Sequence, residues 1–151
     1  MTGPAAAAPA RSLASTSLGR RLWLPWREGP AARHTGPVVV SLTDFSANRA
    51  RDLPWVYVAG LRLREGWYAM PGALGLWLWG QPLQRRGGSL TVWESKEHLR
   101  RFVSLPAHVA IMRRYRDRGT IASDTWELER FADAVVREAA EARLTDADRR
   151  P

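Results

Sequence analysis

The chain has 151 residues, enough for one domain with a proper core plus tails, and 45% of them are hydrophobic, eight being tryptophan. It contains no cysteine, which excludes disulfides, zinc–thiolate sites, iron–sulfur clusters and cysteine nucleophiles. The net charge of +8 rests on 22 arginines and one lysine. It is spread along the chain without a basic run or a nucleic-acid motif, so it reads as the codon bias of a high-GC genome and not as a nucleic-acid footprint.

Residues 1 to 35 are rich in Ala, Pro, Ser, Gly and Arg and show no sustained period. They are expected to form a disordered basic extension, with Trp23, Leu24 and Trp26 able to tack onto the domain surface. His34 falls in this tail and reads as solvated. The domain is expected over 36–131, followed by a C-terminal helix and frayed tail over 132–151.

Pro37 to Phe45 alternates as a strand, with Val38, Val40 and Leu42 on one face and Val39, Ser41, Thr43 and Phe45 on the other. Pro54 to Met70 spaces Val56, Gly60, Leu63 and Trp67 as a helix, which Pro71-Gly72 stops. Ala73 to Gly80 is a strand apolar on both faces, so both faces need covering. Gln81 to Gly88 reads as a hairpin turn. Ser89, Thr91 and Trp93 then alternate with Leu90 and Val92 in a third strand. Ser95 caps the next helix, and Leu99, Phe102 and Val103 form its buried stripe. Ser104 and Pro106 mark a break, after which His108, Ile111, Met112 and Tyr115 fall at i, i+3, i+4 and i+7. Thr120 to Leu128 is a fourth strand and Phe131 to Leu144 an alanine-rich helix.

The order β-α-β-β-α-β plus a terminal helix is the split-βαβ, ferredoxin-like α+β pattern, with both helices on one sheet face. The other face is expected to hold Trp77 and Trp79, with Trp93 and Trp126 as further candidates. Such a bare apolar face calls for a partner, and a homodimer closing sheet on sheet is the expected solution. No run is long enough to cross a bilayer, and a cytoplasmic protein without a membrane partner is expected.

His108 is the one polar member of its stripe. Its imidazole can act as a general base, ligate haem iron, or simply cap a cavity wall through a backbone carbonyl or Ser104. Trp77, Trp79, Trp93 and Trp126 either line a flat pocket for a polycyclic aromatic or fill core and interface. Tyr68 and Tyr115 are candidate hydrogen-bond donors to a substrate oxygen. No phosphate loop, nucleophile elbow, dinucleotide fingerprint or metal-ligand cluster is present.

Met70-Pro71-Gly72, the run Ser89 to Ser95 (SLTVWES), and Leu99-x-x-Phe102-Val103 followed by Ala107-His108 give the chain a resemblance to a family. It resembles the dimeric α+β barrel proteins of the antibiotic biosynthesis monooxygenase group and their uncharacterised actinobacterial relatives, over about residues 37 to 130. The resemblance implies a homodimeric barrel that binds a hydrophobic, aromatic or polyketide-like molecule, with cofactor-free oxygenation as the leading reaction. In the cofactor-independent oxygenases an asparagine commonly precedes the strand-three tryptophan by four residues; Ser89 stands there, while Trp93 matches the tryptophan. Leu99 replaces a helix-two tyrosine, and Arg113 matches an arginine. In the haem-degrading branch the histidine falls at about Met112 and the second tryptophan at Phe102, which departs from that pattern. The resemblance matches His108 to a histidine of the uncharacterised relatives without supplying its role; from its chemistry His108 is the expected base, with Trp93 as pocket wall and donor and Arg113 as phenolate stabiliser. Trp77, Trp79, Trp126, Met112, Tyr115 and Tyr68 are the expected pocket residues. The alternatives are a non-catalytic ligand-binding or dimerisation module, and a haem protein using His108.

Overall fold

Alternation along Val38–Ala47 puts a strand, β3, at the centre of the sheet in this computed structural model, which describes residues 20–151. Before it come two short strands, β1 (Leu22–Trp23) and β2 (Arg27–Glu28). After it follow helix α1 (Leu53–Glu65), strands β4 (Ala73–Gln81) and β5 (Arg86–Trp93), and helices α2 (Lys96–Val103) and α3 (Pro106–Tyr115). Strand β6 (Gly119–Leu128) and helix α4 (Asp133–Asp148) complete the chain. The four long strands lie in the order β4-β5-β3-β6, every pair antiparallel. That is the ferredoxin-like arrangement expected from the element order, with β3-α1-β4 and β5-α2-α3-β6 as its two halves.

The second expected helix is two helices. Leu105 is extended (φ −60°, ψ 136°), as the residue before a proline prefers, and Pro106 opens α3 at its first turn. Ser95 caps α2 by accepting from the backbone N–H of His98 at 3.3 Å. The hairpin between β4 and β5 is tighter than the sequence suggests: β4 runs to Gln81 and β5 starts at Arg86, with Arg85 left-handed at φ 56°. The terminal helix runs on to Asp148, through residues expected to fray.

Helices α1, α2 and α3 lie on one sheet face, over Val39, Leu76, Leu78, Trp93 and Phe45. The opposite face holds Val38, Val40, Leu42, Trp77, Trp79, Leu90 and Val92, and there the sequence-based expectation needs correcting. That face is covered from within the chain. Val136, Ala140 and Leu144, at i, i+4 and i+8 on α4, are at most 1% exposed against it. Trp23, Trp26 and Phe131 close the rest, Trp26 stacking on Phe131 at 5.2 Å. The apolar area that motivated a partner subunit is thus already buried.

Residues 20 to 35, within the stretch expected to be disordered, carry two short strands for the same reason. Strands β1 and β2 both pair with the outer edge of β4, and Gly75, opposite Val92 beside a β-bulge, leaves room for the Trp26 ring. The part of that expectation on residues 1–19 lies outside the described residues. Arg86 ties the layers together. It is buried, donates to Asp44 through Nε at 3.1 Å and Nη2 at 2.5 Å, and pairs with Asp148 near the end of α4. Trp23 Nε1 donates to Glu141 of α4 at 2.6 Å. Among the described residues no helix is long and apolar enough to cross a membrane.

Candidate functional site

Between the sheet and α1, α2 and α3 lies a cavity of about 620 Å³. Its roof is apolar: Val56 and Leu63 of α1, Phe102 of α2, and Ile111, Met112 and Tyr115 of α3. His108, Ile111, Met112 and Tyr115 all line it, so the stripe spaced at i, i+3, i+4 and i+7 is the face that α3 turns inward.

The helix break fixes His108. A helix end leaves its last carbonyls without an intrahelical donor. His108 Nδ1 lies 3.1 Å from the carbonyl oxygen of Val103, the last residue of α2. Since a carbonyl only accepts, Nδ1 carries the proton, and Nε2 of the neutral ring keeps a lone pair. The ring stacks obliquely on Phe102 at 4.7 Å. Burial lowers its pKa from the ordinary 6.5, with the Val103 hydrogen bond working the other way. A neutral, basic Nε2 is therefore the resting form near pH 7.

The floor is of another kind. Register places Thr91, Ser41 and Thr125 side by side across β5, β3 and β6, and Ser89, Thr43 and Ser123 side by side in the next row. All six line the cavity. Thr91 accepts from Trp93 Nε1 at 2.8 Å and points its hydroxyl towards the Ser41 carbonyl at 3.4 Å. The other five hydroxyls make no side-chain hydrogen bond among the described residues. Tyr57 closes one end, its ring lying over Gly80 and Gly87, where a Cβ would meet it at 2.9 and 2.5 Å. Its hydroxyl donates to the Arg86 carbonyl at 2.8 Å, and burial raises its pKa.

Of the residues expected in a site, His108, Met112 and Tyr115 come together here. Trp93 is fully buried behind the wall, edge-on to Trp67 at 5.3 Å, with its N–H committed to Thr91. It shares the helix-covered face and not that of Trp77, because Trp77 pairs with Leu90 and Trp93 with Ala73 across the β4 bulge. Trp77 and Trp126 belong to the opposite cluster. Trp79 borders the cavity, but its Nε1 donates to the Thr43 carbonyl at 3.2 Å and its ring faces the guanidiniums of Arg21 and Arg86. Arg113 is exposed and outside the lining: five residues after His108, it has turned some 140° around the helix. Tyr68 is 68% exposed on a one-turn 3₁₀ segment after α1 and also stays outside.

The hydroxyl rows and Tyr57 were not singled out from the sequence. Strand alternation already puts Ser41 with Thr43, and Ser89 with Thr91, but only register across three strands assembles the rows. The signal for Tyr57 was the pair of glycines, Gly80 and Gly87, facing each other across β4 and β5. Among the described residues no lysine or arginine side chain lines the cavity, and no group of three or more His, Asp or Glu suited to a metal ion occurs.

No family model matches the chain, and no curated protein is significantly similar to it. Solved structures do share its fold. A haem-degrading enzyme from Listeria monocytogenes superposes with a TM-score of 0.55 at 16% identity, over 74% of this chain and 72% of that one. A monooxygenase-like protein from Listeria innocua gives 0.54 at 15% identity, over 73% and 64%. An uncharacterised ferredoxin-fold protein related to antibiotic biosynthesis monooxygenases, also from Listeria monocytogenes, gives 0.50 at 16% identity. That match takes in 62% of this chain and only 57% of the other. The likeness is one of fold: the chain shares the ferredoxin-like α+β fold of these proteins.

Proposed function

We propose that the chain binds a hydrophobic, aromatic or polyketide-like molecule in the cavity under α1 and α3 and oxygenates it without a cofactor. The observation that carries this reading is His108: an imidazole lining an apolar-roofed cavity, with Nδ1 held by a carbonyl and Nε2 left basic. In such a reaction Nε2 takes the proton of a phenol or enol. The resulting carbanion passes one electron to oxygen, the two radicals join in a C–O bond, and the peroxide loses water to leave a quinone. One substrate and one dioxygen give one quinone and one water.

The protein's part is to exclude water, hold the base and stabilise the anion. Tyr115 is the donor placed for that last task. It lines the same cavity, its hydroxyl has no hydrogen-bond partner among the described residues, and it lies roughly 10 Å from His108 along the helix axis, at 1.5 Å per residue. A tricyclic ring system has about that length. Arg113 and Trp93 have no place in this scheme, the first being outside the cavity and the second already bonded.

Anthrone tests the scheme, because its enol takes up one dioxygen to give anthraquinone and water. The wild-type protein is expected to accelerate that conversion, and His108→Ala to lose the acceleration while keeping its thermal transition. Unchanged turnover in His108→Ala removes the base assignment. Binding without turnover in the wild type selects a ligand-binding module instead. Haem fits in part: His108 Nε2 is a ligand for iron, but the lining offers no cation to the propionates. A Soret band after haem titration that vanishes in His108→Ala would replace the oxygenase reading.

A further inference from the structure

An apolar ligand needs no hydroxyls beneath it, yet the floor of this cavity carries six on three adjacent strands. We infer that this floor is the specificity element of the site, selecting ligands with several hydroxyl or carbonyl oxygens on the side facing the sheet over hydrocarbons of the same shape. The inference rests on the proposed reading of the cavity as a ligand site.

Ser41 is the strongest part of the argument. It is 9% exposed, it lines the cavity, and its hydroxyl has no partner among the described residues. The hydroxyl is not sealed in the core but opens onto the cavity, where a ligand oxygen can take the place of water as its partner. Thr43 and Ser89, half-buried, stand beside it, also without a side-chain hydrogen bond among the described residues, while Ser123 and Thr125 on β6 are exposed at the cavity's open side. Neighbouring strands lie about 4.8 Å apart and successive same-face residues about 6.8 Å apart, so the two rows form a grid roughly 10 Å by 7 Å. That matches the outline of two or three fused rings. Hydroxyls both donate and accept, so the grid suits phenols and quinones alike. The apolar roof supplies affinity without orientation; the grid decides which side of the ligand turns down.

The test compares naphthalene with 2,7-dihydroxynaphthalene, whose two hydroxyls lie on one long edge, by equilibrium dialysis under nitrogen. The diol is the more water-loving of the two, so an all-apolar cavity favours naphthalene. The wild-type protein is expected to bind the diol at least tenfold more tightly. Thr43→Val with Ser41→Ala is expected to cut diol affinity about tenfold, the worth of one to two hydrogen bonds, and leave naphthalene unchanged. Retained naphthalene binding also shows that the variant is folded. A wild type with no preference for the diol overturns the inference and leaves the cavity as a ligand site. So does a variant that loses both probes alike. Failure of both probes to bind the wild type removes the ligand site itself and the inference with it.

Discussion

Replacing Leu144 with alanine tests what covers the tryptophan-bearing sheet face. Leu144 is 1% exposed and sits with Val136 and Ala140 against the cluster of Val38, Val40, Leu42, Trp77 and Trp79. Truncating a buried leucine costs its transfer free energy plus the cavity left behind, about 3 kcal/mol. At about 3 °C per kcal/mol for a domain of this size, the midpoint of thermal unfolding should fall by about 9 °C. Val136→Ala, removing two methyl groups at a position 0% exposed, should cost about 2 kcal/mol. Glu138→Ala, on the exposed side of α4, is the control and should stay within about 0.5 kcal/mol. Differential scanning calorimetry at two protein concentrations, with sedimentation to give the mass, reads all three. If a second subunit covered this face instead of α4, Leu144→Ala would cost under 1 kcal/mol and the wild-type midpoint would rise with concentration. That pair of results refutes the covering role of α4.

Three further outcomes follow from the geometry. Burial holds the His108 pKa below 6.5, so between the two values the unfolded chain binds more protons than the folded one. Wild-type stability should therefore fall as pH drops through 6.5 and below, and His108→Gln should lack that component; midpoints from pH 8 to pH 5 check it. Gly87→Ala places a Cβ 2.5 Å from Tyr57 Cε1 and should cost about 1–3 kcal/mol, pushing the ring into the cavity and weakening uptake of naphthalene. Arg86→Met leaves the half-buried Asp44 carboxylate without this partner and should cost about 2 kcal/mol, part of which Asp44→Leu in the same chain restores; urea unfolding of the single and double variants measures both.

What could be read from the residues alone was whatever depends on neighbours in the chain. The α3 stripe from His108 to Tyr115, the break at Ser104 to Pro106 and the alternation of β3 and β5 are local patterns, and each element stands where its pattern puts it. The tryptophans failed that test because their faces depend on pairing. Trp126 falls opposite Val40 and Trp77 opposite Leu90, whereas Trp93 falls opposite Val39, so register and strand alternation put Trp93 on the other face. Residues 20 to 35 were misread for the same reason. Two-residue strands have no period to detect, and their order comes from β4, a strand apolar on both sides whose edge and outer face they close. Arg113 was placed by likeness to an arginine in other proteins, and helical geometry alone turns it away from His108.

The pairing of Leu22–Trp23 and Arg27–Glu28 along β4 has a bearing on how copies of this protein meet. One flank of the sheet is blocked by these stubs, too short to template a further strand. At the other flank, the ten residues of β6 have no neighbour on their outer side among the described residues. Any growth by main-chain addition is one-sided: two molecules joined through that flank present only blocked ends, and assembly stops at a pair instead of running on into a fibre.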